Sequence, residues 1–214
     1  MVDQRVYAKQ QSAPRASDDT WAALRSSRDG SPILFPWYFA LAVEGKCFQV
    51  RLGTITAPLT GDVDVTDTAA EAAAEAATGM TILPLYANVD IELLGGTLPQ
   101  VCLKSVNAVI TTLGTQFIPL NLRIGGPAAQ GRAAVAAAGG VAVAAEVNTT
   151  TRVLASGHTS AIGDAMPNIL DQLFDVPHVL VGPASVYLQV GTVTTGTAYF
   201  GFFNYAEIAT NDIT

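Results

Sequence analysis

The sequence predicts an all-β protein built as an antiparallel sandwich of two layers. Segments rich in β-branched and aromatic residues recur along the chain, turn signals containing Gly, Pro or Asp separate them, and only one segment has clear helical features. The length of 214 residues fits one large β domain or two small ones. We expect an extended N-terminal arm over residues 1–32 and a single domain over residues 33–214.

The arm is polar, and Ser, Arg, Asp and Gln dominate it. Residues 17–25 are a candidate short helix, with Ser17 or Asp18 as its N-cap. A segment this polar cannot bury enough surface to fold alone. We therefore expect it to be disordered or laid across a neighbouring molecule.

Eight segments have the composition of strands: residues 33–43, 46–55, 82–94, 100–112, 116–124, 141–154, 178–191 and 197–208. The Glu44-Gly45 pair predicts a turn that joins the first two segments as a hairpin. Pro84 and Pro119 lack the backbone donor of a ladder, so we expect them at edges, at bulges or at strand starts. Eight antiparallel strands with irregular loops predict a two-sheet sandwich of the jelly-roll type.

The last two strand segments, within residues 184–208, predict a long hairpin around the linker TVTTGT. Both alternating faces of the final segment are apolar, with Phe200 and Phe202 on one and Tyr199 and Phe203 on the other. A half-solvated strand would carry a polar residue at every second position. We therefore expect this hairpin to be covered on both sides, by a second sheet or by another subunit.

The one predicted helix is short and lies on the surface. It covers residues 68–77, TAAEAAAEAA, where capping-box spacing opens the segment, alanine favours helix and Gly79 is placed to end it. Glu71 and Glu75 then lie four residues apart on one helical face. Residues 125–147 are rich in Gly and Ala and predict a loop that leads into the next strand.

The chain carries few charges. Charged residues make up 14% of it and hydrophobic residues 50%, whereas an average soluble domain is roughly 25% charged. This composition favours a subunit whose surface is covered by copies of itself over a monomer with a surface rich in Thr and Ala. The net charge of −7 argues against direct binding of nucleic acid, which requires aligned Lys and Arg residues.

We expect neither a secretory signal nor a membrane-spanning segment. The first fifteen residues are polar, and no apolar run reaches the ~20 residues that a membrane helix needs. Cys47 and Cys102 are too few for a disulfide scaffold, so a reducing cytoplasm is the expected setting. We place the two in one sheet, about two strand spacings apart and beyond the ~7 Å limit for bridging, and expect free, buried thiols.

No catalytic constellation is predicted, and we expect neither an enzyme nor a bound cofactor or metal. His158 and His178 are far apart in the sequence, whereas a cupin-type metal site would need two histidines close together. Asp62, Asp64 and Asp67 are hard oxygen ligands that could hold calcium. Because the Gly and Glu of the twelve-residue calcium loop are missing there, a solvated acidic loop is favoured.

This pattern resembles the single jelly-roll coat proteins of icosahedral viruses, including those of tailless phages and of archaeal viruses with internal membranes. The resemblance rests on the polar arm before Ile33, the eight strand segments, the run MTILPLYANVDIELL and the closing run ASVYLQVGTVTTGTAYFGFFNYAEI. It implies an eight-stranded roll that assembles in the host cytoplasm into trimeric or larger capsomers of a virion shell, together with other capsid proteins. The helix at 68–77 and the loop at 125–147 depart from that pattern and leave the capsomer symmetry open.

A β-sandwich binding module, such as a spike or a carbohydrate-binding domain of a virion or cell surface, is the alternative. It would use exposed aromatic residues such as Trp37, Tyr38 or Tyr86. Saturable glycan binding by a small oligomer would favour that class, whereas self-assembly into large particles would favour a shell subunit. Stoichiometric metal in the purified protein would point to an enzyme.

Overall fold

The structure is a computed structural model of the chain. It describes residues 5–8, 20–23, 37–61, 68–93, 99–111, 115–117, 119–135, 141–144, 147, 151–158, 168–174, 178–191 and 198–212. These residues form antiparallel sheets, one α-helix and one short 3-10 helix. The prediction of an all-β protein with antiparallel sheets is confirmed.

The described residues form seventeen strands, labelled in chain order: β1 (Arg5–Ala8), β2 (Thr20–Ala23), β3 (Cys47–Leu52), β4 (Leu59–Thr60), β5 (Ala69–Ala70), β6 (Ala72–Ala76), β7 (Met80–Leu93), β8 (Gln100–Val106), β9 (Thr115–Phe117), β10 (Leu120–Asn121), β11 (Ala133–Val135), β12 (Val141–Ala142), β13 (Thr151–His158), β14 (Asn168–Leu173), β15 (Leu180–Val181), β16 (Ala184–Gly191) and β17 (Ala198–Ala209). The helix α1 spans Trp37–Val43, and the 3-10 helix spans Thr210–Asp212.

Two sheets make up the body. Sheet I has the strand order β10-β3-β17-β7-β14, with β4 also beside β17 and β15 also beside β7. Sheet II has the order β13-β8-β16-β6-β11-β9. Strands that follow one another along the chain mostly belong to different sheets, so the chain crosses repeatedly between the two layers. Two separate ribbons, β1-β2 and β5-β12, complete the described strands.

The hydrophobic core lies between the two sheets. Alternate residues of β3, β7 and β17 meet alternate residues of β8 and β16, and removing their apolar area from water is the main source of stability. This cluster includes Phe48, Val50, Val89, Leu103, Val186, Leu188, Phe203 and Tyr205. Gly201, in the centre of β17, faces a spot where a Cβ would overlap the carbonyl of Asn88, so the close approach of β17 to β7 requires glycine there.

The C-terminal segment is not the predicted hairpin. Strand β16 pairs with β6 and β8 in sheet II, whereas β17 pairs with β3, β4 and β7 in sheet I. In these positions both strands have neighbours on both edges, which satisfies more backbone donors and acceptors than one hairpin would. The predicted cover on both faces of β17 is found at its C-terminal end, where Tyr205 faces the core and Ala206 and Ile208 lie in a second buried cluster with α1.

Residues 68–77 form β5 and β6 instead of the predicted helix. Every residue of β6 is buried, and the strand pairs with β16 on one side and β11 on the other. The helical preference of alanine amounts to only tenths of a kcal/mol per residue, so pairing with two strands overrides it. As a result Glu71 and Glu75 are buried, and the predicted exposed pair of like charges does not exist.

The first predicted strand, 33–43, is a helix in its described part, and the hairpin with 46–55 is therefore wrong. The Glu44-Gly45 turn is instead the C-cap of α1. Lys46 N donates to Leu41 O at 2.9 Å and Gly45 N donates to Ala42 O at 3.0 Å. Gly45 has a φ of 76°, which glycine adopts at little cost, so the Schellman pattern ends the helix here.

The remaining segments are found as strands with different bounds. The predicted strands 116–124 and 141–154 are each divided, and the predicted loop 125–147 contains β11 and β12. In the arm, β2 pairs with β1, so the helix expected over 17–25 is wrong for residues 20–23. Pro119 directly precedes β10, and Pro84 lies where the register between β7 and β17 shifts, as expected for proline in a sheet.

Candidate functional site: an apolar surface on sheet I

Helix α1 is apolar on both of its sides. Its Leu41 and Ala42 pack against the outer face of sheet I, in a cluster with Cys47, Leu83, Leu85, Ala206 and Ile208. The solvent-exposed part of the helix carries four large side chains that are each 40–50% exposed: Trp37, Tyr38, Phe39 and Val43. A surface helix normally turns charged or polar residues to water on that side. The exposed aromatic side of α1 is therefore a candidate contact for a partner.

A groove with a volume of about 180 Å³ opens beside the helix on the outer face of sheet I. Its walls come from α1, from β7, from β14 and from the turn after β10. The main lining residues are Tyr38, Leu85, Tyr86, Leu122, Leu173 and Phe174, with Asn204 contributing a polar group. The groove is thus mainly apolar and brings together residues that lie far apart in the sequence.

Exposed apolar side chains continue along the rim of the groove. Leu122 is 43% exposed and Leu173 is 52% exposed, while Leu120 and Ile124, on either side of Leu122, are 50% and 99% exposed. Monomeric soluble proteins rarely expose apolar patches larger than a few hundred Å². We refer to the exposed side of α1, the groove and these rim residues together as the apolar surface.

The turn that carries Leu122 and Ile124 is fixed against the end of α1 by Asn121. Its amide nitrogen donates to the carbonyl oxygens of Gly45 and Pro127, both at 2.7 Å, and its side-chain oxygen accepts from Arg123 N at 2.8 Å. These bonds use the donor and acceptor groups of the asparagine side chain together. The turn is therefore held in place before any partner binds.

Acidic and aromatic groups border the groove along β7 and β14. Tyr86 Oη donates to Asp171 Oδ1 at 2.6 Å, and its ring lies 5.7 Å from that of Phe202. The hydrogen bond to Asp171 raises the pKa of Tyr86. Burial, and secondly the charge of Asp171, raises the pKa of Asp90. This border offers aromatic faces and hydrogen-bond acceptors next to the apolar floor.

Two buried carboxylates hold the segment that links β10 to β11, and we call this pair the carboxylate clamp. Glu207 of sheet I accepts from Gln130 N at 2.6 Å and from Gly131 N at 3.0 Å. Glu75 of sheet II accepts from Ile110 N at 2.9 Å and forms an ion pair with Arg132 at 2.6 Å. The clamp ties one crossing segment to both sheets, so these acids have structural partners.

The aromatic residues named from the sequence partly come together in the structure. Tyr38 and Tyr86 line the same groove, and the ring of Trp37 stands edge-on to that of Tyr38 at 6.0 Å. The sequence did not indicate that Leu122 and Leu173 would join them. The alternation in LNLRI is typical of a strand with one buried side, and no local signal shows that these leucines stay exposed.

The two histidines, which we do not expect to bind metal, lie in different layers of the protein. His178 is exposed, precedes β15 beside sheet I and stands edge-on to Phe174 at 5.7 Å, whereas His158 ends β13 in sheet II. Within the described ranges no group of three His, Cys, Asp or Glu residues could hold a metal ion. Asp62, Asp64 and Asp67 lie outside the described residues, so the predicted acidic loop stays a prediction.

The two cysteines are free, as predicted, but they do not share a sheet. Cys47 is buried in β3 of sheet I, beneath α1, while Cys102 is only half-buried in β8 of sheet II. The assignment to one sheet is wrong because it counts 33–43 as the first strand and 68–77 as a helix, so that β3 takes the second place in the strand order instead of the first. The expectation that both thiols are buried holds for Cys47 alone.

No family model, no curated protein sequence and no solved structure is significantly similar to this chain. In the described part of the chain, no helix combines the length and the apolarity of a membrane span.

Proposed function

We propose that the chain is a structural shell subunit of a virion, which self-assembles through the apolar surface into oligomeric capsomers. The observation that carries this proposal is the exposure, side by side, of the aromatic side of α1 and the apolar groove. Both features lie on the outer face of sheet I, where a monomer would gain stability from polar residues. A sister subunit packed there would remove Trp37, Phe39, Leu122 and Leu173 from water.

The order of the strands supports a jelly-roll architecture for this subunit. In the described part of the chain, eight strands are five residues or longer: β3, β6, β7, β8, β13, β14, β16 and β17. Numbered one to eight in chain order, they read 1-8-3-6 in sheet I and 2-7-4-5 in sheet II. This order supports the proposal of a jelly roll, in which two Greek keys wrap two four-stranded sheets around each other. Jelly rolls host several functions, so the fold alone does not favour a shell protein. The apolar surface is the observation that does.

The composition fits the same role. Interface cores are depleted in Lys, Glu and Asp, and only 14% of the chain is charged. A stable interface covers roughly 800 Å² on each partner, which is more than the groove alone can supply. The exposed side of α1 and the rim residues extend the contact towards that size. The acidic balance favours a shell that does not itself bind the genome.

The test is the size of the purified full-length protein across concentration. Mass photometry and negative-stain electron microscopy should show capsomers or closed particles that are multiples of 22.2 kDa. Tyr38→Glu combined with Leu122→Glu should leave mainly monomer, because each carboxylate would be desolvated in the contact. Ile55→Glu is the matched control, since Ile55 is 67% exposed in a turn that does not line the groove. A monodisperse wild-type monomer at high concentration would rule the proposal out.

A β-sandwich module that binds carbohydrate is the second candidate function. Tyr38 and Tyr86 offer aromatic faces in one groove, and Asp171 adds an acceptor beside them. Such a module would bind glycans saturably on an array as a small oligomer, and Tyr86→Ala would abolish that binding. Particle formation without glycan binding would favour the shell subunit instead.

A further inference from the structure

A second cavity, of about 330 Å³, opens between the two sheets. Ser105, Asn107 and Arg152 line it from sheet II and the residues next to it, and His178, Leu180 and Val181 line it from β15 and its approach. Strand β15 pairs with β7 of sheet I. The cavity therefore has one wall from each layer, and it is separate from the apolar surface.

Strand register places Ser105 and Arg152 on the same side of sheet II. Ser105 of β8 lies directly opposite Arg152 of β13, and on its other edge it lies opposite Val186 of β16. Val186 belongs to the core between the sheets. Because directly opposed residues project to the same face, Ser105 and Arg152 both point to the side on which sheet I lies.

The polar side chains of this cavity can all donate hydrogen bonds. Arg152 presents a guanidinium group with five N–H donors, Asn107 an amide and Ser105 a hydroxyl, while an imidazole N–H is available at His178. None of the described residues that line the cavity is acidic. In a chain with a net charge of −7, a cavity whose described lining offers donors and a cation but no carboxylate favours an anionic occupant.

Arg152 forms no ion pair with a described residue, in contrast to two other basic side chains. Lys46 lies 3.7 Å from Glu44 and 3.6 Å from Asp212, and Arg132 lies 2.6 Å from Glu75. Among the described residues no carboxylate is within ion-pair distance of Arg152. Its guanidinium is thus not neutralised by a described carboxylate, and its planar fork matches the geometry of phosphate and sulfate oxygens.

The hydroxyl of Ser105 is a second, independent sign of a missing partner. Ser105 is fully buried, and its Oγ has no hydrogen-bond partner among the described residues. Buried polar groups in folded proteins are nearly always satisfied. A hydroxyl that lines a polar cavity and faces the same side as a cation is satisfied most directly by an anion held in that cavity.

We propose that this cavity is a binding site for a phosphate group, with Arg152 as the charged ligand and Ser105 and Asn107 as neutral donors. The group could belong to free inorganic phosphate or to a small phosphorylated molecule, since the volume exceeds that of phosphate alone. The proposal stands independently of the shell function, because it uses no residue of the apolar surface.

Isothermal titration of the full-length protein with inorganic phosphate and with glucose 6-phosphate, at constant ionic strength, tests the site. Saturable binding with one site per chain is expected for at least one of them, and the tighter ligand identifies the source of the phosphate group. Arg152→Gln should weaken binding at least tenfold, and Ser105→Ala severalfold. Arg51→Gln is the matched control, because Arg51 is an exposed strand arginine that also has no ion pair with a described residue and does not line the cavity.

Thermal unfolding separates loss of the site from loss of the fold. Without phosphate, Ser105→Ala should melt at the same temperature as the wild type or higher, since an apolar methyl replaces an unsatisfied hydroxyl. Phosphate should raise the melting temperature of the wild type and of Arg51→Gln, but not that of Arg152→Gln. Absence of binding in the wild type, or equal binding by Arg152→Gln, overturns the proposal. Preference for acetate over phosphate also overturns it and would indicate a protein carboxylate as the occupant.

Discussion

At the scale of single residues, the buried carboxylates connect separate backbone segments of the fold through hydrogen bonds. Glu207 is 4% exposed and accepts hydrogen bonds from two consecutive backbone N–H groups, those of Gln130 and Gly131. Each of its oxygens has its own donor, so the ionised carboxylate matches this site better than an amide could. The same logic explains why a chain with few charges retains acids in its interior.

Glu207→Gln should lower the free energy of unfolding by about 1–3 kcal/mol. The new NH₂ group is a donor and would face a backbone N–H, which is also a donor, so one hydrogen bond would be lost. Urea denaturation followed by fluorescence measures this change. The matched control is Glu92→Gln in the neighbouring strand β7, where the side chain is exposed and the change should stay within about 0.5 kcal/mol. Equal effects of the two substitutions would contradict the clamp.

Burial makes Cys47 a pH-dependent stabiliser. Desolvation raises the pKa of its thiol from 9.0 to about 11. Because the folded state favours the neutral thiol, this contribution is complete below pH 9 and is lost as the pH rises towards 11. Burial also raises the pKa of Tyr205, with the charge of Glu207 as a smaller cause, so Tyr205 adds to the loss of stability in alkali.

Urea unfolding at pH 8 and pH 10.5 should therefore show a clear fall in stability for the wild type. The fall should be smaller in Cys47→Ala, by about 2 kcal/mol, since one pKa unit corresponds to about 1.4 kcal/mol. Cys102→Ala changes the half-buried thiol of β8. Its free energy of unfolding should decrease between the two pH values by as much as that of the wild type. The same fall in all three proteins would show that Cys47 ionises as readily in the folded state as in the unfolded chain.

At the scale of elements, β6 shows how an alanine-rich segment becomes a central strand. Its Ala74 is fully buried and lies opposite Val186 on one edge and Ala133 on the other. Small side chains at these positions allow the ends of both sheets to approach closely, and larger ones would overfill the core.

Ala74→Leu should destabilise the protein by about 1–3 kcal/mol through overpacking, measured as a shift of the urea midpoint at constant slope. In Ala128→Leu the side chain is exposed, and the midpoint should barely move. If Ala74→Leu were neutral or stabilising, β6 could not lie between two strands in the core.

The same element marks the limit of prediction from sequence. The strands at 46–55, 82–94 and 197–208 were located because β-branched and aromatic residues signal them locally. The sequence predicts a strand at 33–43 and a helix at 68–77, whereas the structure has a helix within the first and strands in the second. In both segments local propensity favours the wrong state and tertiary contacts override it. Trp37, Tyr38 and Tyr86 of the apolar surface are named from the sequence, but Phe39 and the leucines are not. Only the fold brings α1, β14 and the turn after β10 to one groove.

At the scale of the whole molecule, the net charge of the subunit predicts how self-assembly responds to salt. Each subunit carries a net charge of −7, so like charges oppose association at low ionic strength. The apolar contact itself does not depend on screening. Raising NaCl from 50 to 500 mM should therefore increase the oligomeric fraction in sedimentation velocity. Dissociation by salt would instead indicate an interface held by ion pairs.

Sheet I joins strands from opposite ends of the described chain, since β17 lies between β3 and β7. During translation β3 leaves the ribosome long before the neighbour it needs, and loop closure over such a distance is slow. Until then the nascent chain holds an open edge and unburied aromatic residues, which are the features that chaperones recognise and that promote aggregation. The yield of soluble protein should therefore depend on the time that passes between the synthesis of β3 and the synthesis of β17.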